Sequence, residues 1–163
     1  MPEYVSCSTC GEEVTVDSDF CPHCGIVYEQ AGTIQCETHP GSKGKSVCII
    51  CRRILCDECT HVQEKRRFCE EHKTVKVEQD WVRIFQSTEI NDAELVKSVL
   101  ENAEFHVQVR NFNSIGFVWD GGGDSPQSRS NIGKPAKVFV PIPEYLKARA
   151  ALQEWESGRV DQE

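Results

Sequence analysis

The sequence predicts a multidomain α+β protein, with small cysteine-rich modules in its first half and an α/β sandwich in its second. Three observations carry that prediction. All ten cysteines of the 163-residue chain lie between Cys7 and Cys69. They fall into pairs spaced as Cys-x2-Cys or Cys-x2-His. The 94 residues after Cys69 contain none, and show helix and strand periodicity instead. Segments too short to bury a sufficient core need a metal or disulfides to fold, so the two halves are expected to be held together by different physics.

The redox compartment decides between metal and disulfide. The opening residues MPEYVSCSTC show neither a basic nor an apolar signal region, and no apolar run approaches a membrane span. A cytoplasmic location is therefore expected, where thiols stay reduced and a dense Cys/His pattern binds metal.

Residues 4–28 form the first module. Cys7-x2-Cys10 and Cys21-x2-Cys24 are separated by ten residues, which is zinc-ribbon spacing. Each CxxC turn presents two thiolates on one side, and two turns complete a tetrahedron. Gly11 and Gly25 follow the second cysteine of each pair, where the turn needs a positive φ. Val14 and Val16 alternate with polar residues as in a short strand. Redox chemistry at a CxxC is the rival reading, but it does not need two matched pairs. His23, inside the second pair, is expected to face solvent.

Residues 34–74 carry four more pairs: Cys36 with His39, Cys48 with Cys51, Cys56 with Cys59, and Cys69 with His72. Eight ligands make two tetrahedral sites. Only four residues separate Cys51 from Cys56, so alternating pairs are expected to share a metal in a cross-brace. The run CETHP…CIICRRILCDEC…FCEEH resembles a B-box-type zinc finger, the small cross-braced domain of tripartite-motif proteins that also occurs in bacteria. The resemblance implies that Cys36, His39, Cys56 and Cys59 bind one zinc and Cys48, Cys51, Cys69 and His72 the other. Cys69 departs from it, since histidine is common at that place, and His61 is an alternative ligand nearby. With the ribbon, three zinc ions per chain are expected.

Within this module HPGSKGKS (residues 39–46) imitates the end of a phosphate-binding loop, with Gly44, Lys45 and Ser46 in place. His39 stands where the first glycine of G-x-x-x-x-G-K-[ST] belongs, and metal pairs replace the required strand and helix. The stretch reads as a spacer between zinc ligands.

Charge is distributed unevenly. Residues 1–35 have six acids and no Lys or Arg, residues 36–75 a net charge of +2, and the whole chain −8. Such a chain is poorly suited to general nucleic-acid binding, which draws most of its non-specific affinity from phosphate contacts. The bases Arg52, Arg53, Lys65, Arg66 and Arg67 either offset thiolate charge near the metals or form a patch for an acidic partner.

Residues 80–157 make up the third module. WVRIF at 81–85 is β-branched and aromatic, as strands are. Residues 90–103 predict a helix that buries Leu95, Val96, Val99, Leu100 and Ala103, with Asn91 and Glu94 as a capping box and Ile90 and Leu95 as a staple. Alternation from Phe105 to Arg110 predicts a strand, 115–119 a further short one, and 120–135 a polar loop in which Asp120 and Asp124 flank three glycines. A solvated loop is the reading preferred there over a cation or phosphate site. Val138 to Val140 returns as a strand, and Pro143 opens a helix that Gly158 should stop.

The stretches VRIFQSTEINDAELVKSVLENAEFHVQVRN and KVFVPIPEYLKARAALQEW resemble a bacterial family of signal-transducing domains compared with PII nitrogen-regulatory proteins. That resemblance implies a ferredoxin-like sandwich that docks a partner, self-associates or binds a small effector. It carries no catalytic signature. His23, His61 and His106 are the histidines left outside the metal pairs, and no catalytic constellation forms around them. The expected function is therefore a non-enzymatic zinc-binding adaptor acting through protein partners. Nucleic-acid binding through the ribbon and a ubiquitin-transfer accessory role are the alternatives. The basis for the last is weak, because the chain has neither a RING pattern nor coiled-coil heptads.

Overall fold

The structure is a computed structural model and describes residues 1–111 and 135–160. The strand expected at 115–119 and the loop holding Asp120 and Asp124 lie outside the described residues. The chain divides into two compact units, Met1–Val75 and Lys76–Glu163. The first two sequence modules thus share one unit.

In the first unit, β1 (Tyr4–Ser6) pairs antiparallel with β2 (Glu13–Thr15). A 3-10 turn spans Glu29–Ala31. Next come two short hairpins, β3 (Ser46–Val47) with β4 (Ile54–Leu55), and β5 (His61–Gln63) with β6 (Arg66–Phe68). Strands of two or three residues cannot hold a fold by their ladders alone. Seven of the ten cysteines are buried, together with Val14, Val47, Ile49, Ile50, Leu55, Phe68 and Val75.

Backbone bonds join the ribbon to the middle module. Val47 N–H donates to Gly25 O at 2.8 Å, Val27 N–H to Lys45 O at 3.2 Å, and Arg67 N–H to Cys24 O at 2.9 Å. The Arg66 guanidinium donates to His23 O at 2.6 Å, and His23 is half-buried rather than facing solvent. Gly25 occupies the tightest point of this seam. Its φ is +84°, and a Cβ there would meet Val47 O at 2.2 Å.

The second unit is an antiparallel four-stranded sheet, in the order β7 (Val77–Glu78), β8 (Trp81–Ser87), β10 (Ala136–Pro141), β9 (Gln108–Arg110). Between β8 and β9 the chain passes through α1 (Ile90–Asn102), and a 3-10 turn over Ile142–Glu144 leads from β10 into α2 (Tyr145–Val160). Both helices pack on β8, on β10 and on each other. Val82, Val138, Phe139, Val140, Leu100 and Ala148 are fully buried. Each helix buries residues at i, i+3 and i+7: Ala93, Val96 and Leu100 in α1, and Tyr145, Ala148 and Leu152 in α2.

Several local expectations are corrected here. α1 starts at Ile90 with Glu89 as N-cap and no side-chain cap bond, so Asn91 lies inside the helix and forms no capping box. The N–H of Glu89 instead donates to Ser87 Oγ at 3.0 Å. Leu95 is exposed, since it lies across the helix from the Ala93–Val96–Leu100 stripe, and Ala103 is the exposed C-cap. The strand beginning at Phe105 is confined to Gln108–Arg110. α2 continues through Gly158, whose exposed position has open space around it; a helical glycine costs about 1 kcal/mol but does not terminate the helix. β7 had no sequence signal. It joins β8 through Gln79 and Asp80, with φ of +49° and +66°, a turn more often built from Asn-Gly.

Candidate metal centres

Three Cys/His groups converge in the first unit: Cys7, Cys10, Cys21 and Cys24; Cys36, His39, Cys56 and Cys59; Cys48, Cys51, Cys69 and His72. Within each group the four donor atoms lie within 4.8 Å of one another. Alternating pairs of the middle module share a group, as a cross-brace requires. All twelve sequence-selected Cys and His residues fall into these groups.

Three of the Cys-x2-Cys turns are built alike. Cys7 N–H donates to Glu12 O and Gly11 N–H to Cys7 O, both at 2.8 Å. Cys21 N–H donates to Ile26 O at 2.9 Å and Gly25 N–H to Cys21 O at 2.8 Å. Cys48 N–H donates to Arg53 O and Arg52 N–H to Cys48 O, both at 2.9 Å. The residue after the second cysteine has φ of +83° at Gly11, +84° at Gly25 and +65° at Arg52. Each turn aims backbone amides inward, and the Thr9 and Cys10 amides reach the Cys7 sulfur.

The donor spacing fits zinc. Zn–S bonds of about 2.3 Å put tetrahedral sulfurs about 3.8 Å apart, and Zn–N bonds of about 2.0 Å put sulfur and nitrogen about 3.5 Å apart. Cys7 and Cys24 sulfurs are 3.8 Å apart, and those of Cys10 and Cys21 3.7 Å. Cys59 lies 3.7 Å from both Cys36 and Cys56, and Cys51 3.8 Å from Cys69. His39 Nδ1 is 3.1 Å from Cys59 and 3.5 Å from Cys56, and His72 Nδ1 is 3.2 Å from Cys69 and 3.8 Å from Cys48. A disulfide needs about 2.05 Å, and all ten cysteines are free. The three groups are consistent with three zinc ions.

The electrostatics point the same way. Sulfurs held this close repel one another as thiolates, and a dication removes that repulsion. Burial, followed by the neighbouring cysteines, raises the Cys24 thiol far above its ordinary range and pushes Cys51 up to about 12. Cys7 and Cys36 go the other way: burial raises them, but hydrogen bonds outweigh it and bring each down to about 6. At Cys7 these bonds come from Tyr28 and the turn amides, and at Cys36 mainly from amides that include His39 and Cys56. Tyr28 Oη is buried with no well-formed hydrogen bond among the described residues, yet it lies close enough to Cys7 to favour the thiolate. The sequence did not reveal Tyr28, because an isolated tyrosine after a knuckle has no distinguishing spacing.

Several other polar residues singled out in the sequence have protein partners. Arg53 pairs with Glu71 at 3.3 Å, and Glu71, then Cys51 and Cys69, holds its guanidinium further above its ordinary range. Lys45 pairs with Asp57 at 2.5 Å, while Ser46 is buried with its hydroxyl 2.6 Å from that of Thr60. HPGSKGKS thus forms no phosphate cradle. His61 Nε2 lies 2.7 Å from Glu70, outside the metal groups. In the second unit, His106 Nδ1 lies 2.6 Å from Glu144 Oε1, so His106 joins the segment before β9 to the turn before α2.

No family model, curated protein or solved structure matches the chain. No helix among the described residues is long and apolar enough to cross a membrane.

Proposed function

We propose that the protein is a cytoplasmic, non-enzymatic zinc-held adaptor, in which a zinc ribbon and a B-box-type finger present a rigid recognition surface. One observation carries this reading: each Cys/His group already supplies four protein donors. A catalytic zinc keeps a position open for water or substrate, whereas a structural zinc is closed. The seam of backbone bonds between ribbon and finger supports a single rigid surface.

The second unit is a ferredoxin-like, PII-like partner or effector domain. Its support is topological. β10 lies between β8 and β9, with both helices packed on the central strands and β7 completing the sheet at the far edge.

The test is affinity capture from native cytoplasm with the intact zinc-loaded chain and with Cys48→Ser. A partner held by the intact chain and lost with the variant is expected. Failure to capture any partner, or equal capture by both chains, overturns the reading.

A further inference from the structure

The seam between ribbon and finger encloses a feature that metal binding does not use. A cavity of about 230 Å³ opens there, walled by Phe20, Val27, Ala31, Ile34, Val47 and Ile54. Phe20 and Val27 face each other across an antiparallel bridge, and Val47 and Ile54 are partners in the β3–β4 hairpin. Gly44 leaves room for the wall, since a Cβ there would meet Ile54 Cγ2 at 2.5 Å. Drug-sized ligands occupy pockets of about 300 Å³ or more, so this volume suits one apolar side chain.

Two charged residues, Asp19 and Arg52, complete the lining. Arg52 occupies the knuckle position filled by glycine in both ribbon turns, at a φ of +65°. A residue with a Cβ is disfavoured in that region, and such outliers concentrate at functional sites. Its guanidinium lies 5.4 Å from the centre of the Phe20 ring and has no carboxylate partner among the described residues. The neighbouring Arg53, in contrast, is paired with Glu71.

Resting on the adaptor reading, we infer that this cavity is a peptide-docking site that takes one large apolar side chain of a protein partner, with Arg52 binding a carboxylate next to it. An exposed cation over an aromatic ring beside a mostly apolar pocket matches an anchor flanked by an acid. Asp19 limits the partner to a single adjacent acid, because a run of acids is repelled. The arginine thus places a charge where the turn geometry alone calls for glycine.

The test is selection of a random heptapeptide phage library on the intact zinc-loaded chain, followed by titration of the synthetic consensus peptide. The expected consensus is one large apolar residue beside one Asp or Glu. Arg52→Gly gives this knuckle the glycine of the ribbon turns and should retain the zinc, yet should weaken binding at least about tenfold, the loss expected when a charge-assisted contact is removed. Replacing the peptide's acid by its amide should weaken binding to the native chain but not to Arg52→Gly. Ala31→Phe, which fills the cavity, should abolish binding. A consensus without an acid, no consensus, or peptides indifferent to both variants overturns the docking site; the last leaves the adaptor reading standing, and capture decides that reading separately. A chain dimer dissolved by Arg52→Gly would make a second copy the occupant and would also overturn the proposal.

Discussion

The two units solve the problem of folding a short chain in opposite ways. Lys76–Glu163 buries Val82, Val138, Val140 and Leu100 between a sheet and two helices. Met1–Val75 has strands of at most three residues, and half of its buried apolar side chains are cysteines. Its order comes from three tetrahedral donor sets and from the amides that the knuckles aim at them. One unit is held by the hydrophobic effect, which is spread over many contacts. The other has three groups of four Cys/His donors, and coordinate bonds to a metal at each would take the place of a large apolar core.

The largest effect should come from removing metal. Structural zinc contributes about 10–16 kcal/mol per site in zinc-finger peptides, as much as the whole stability of an ordinary domain, about 5–15 kcal/mol. Chelation should therefore collapse the amide signals of Met1–Val75 in a two-dimensional NMR spectrum and leave those of the second unit's sheet and two helices dispersed. Loss of both sets would mean that the second unit is not independent.

Next come substitutions at the two ribbon glycines, equivalent in φ but not in surroundings. Gly25→Ala should cost more than about 3 kcal/mol, a size typical of backbone strain combined with overpacking, because its Cβ would meet Val47 O at 2.2 Å. Gly11→Ala, with nothing within 4 Å of the added carbon, should cost only the left-handed strain of about 1 kcal/mol. Zinc retention under a competing chelator measures both, and equal losses would remove the seam from the account. In the second unit, Leu100→Ala should cost about 2–5 kcal/mol in thermal unfolding, with zinc content unchanged.

The smallest effects belong to two hairpins. Glu64 and Lys65 have φ of +49° and +68°, close to the values of Gln79 and Asp80. Asn-Gly suits both turns, so Glu64→Asn with Lys65→Gly, and Gln79→Asn with Asp80→Gly, should each stabilise their own unit by about 1 kcal/mol. Unchanged or lowered unfolding midpoints would contradict the turn geometry.

The metal groups were legible because the ligands of each knuckle lie three residues apart, and tetrahedral coordination tolerates few spacings. β8 was legible from its β-branched and aromatic residues, α1 from its periodicity and α2 from Pro143; on α1 the expected Val96 and Leu100 are buried, but Leu95 is exposed and the small Ala93 packs in its place. The seam could not be read, because it is made of backbone groups such as Val47 N–H and Gly25 O, which have no side-chain signature. β7 and the β5–β6 hairpin were hidden for a related reason. Their turns use Gln-Asp and Glu-Lys where a reader looks for Asn-Gly. Arg52 concealed the third knuckle's kinship with the ribbon turns in the same way.

The most direct measurement is zinc stoichiometry by native mass spectrometry of the intact chain and of Cys7→Ser, Cys36→Ser and Cys48→Ser. Three zinc ions are expected on the native chain, one for each donor group, with loss of zinc in every variant. Two zinc ions on the native chain, or any one of the variants keeping the full complement, would contradict that expectation.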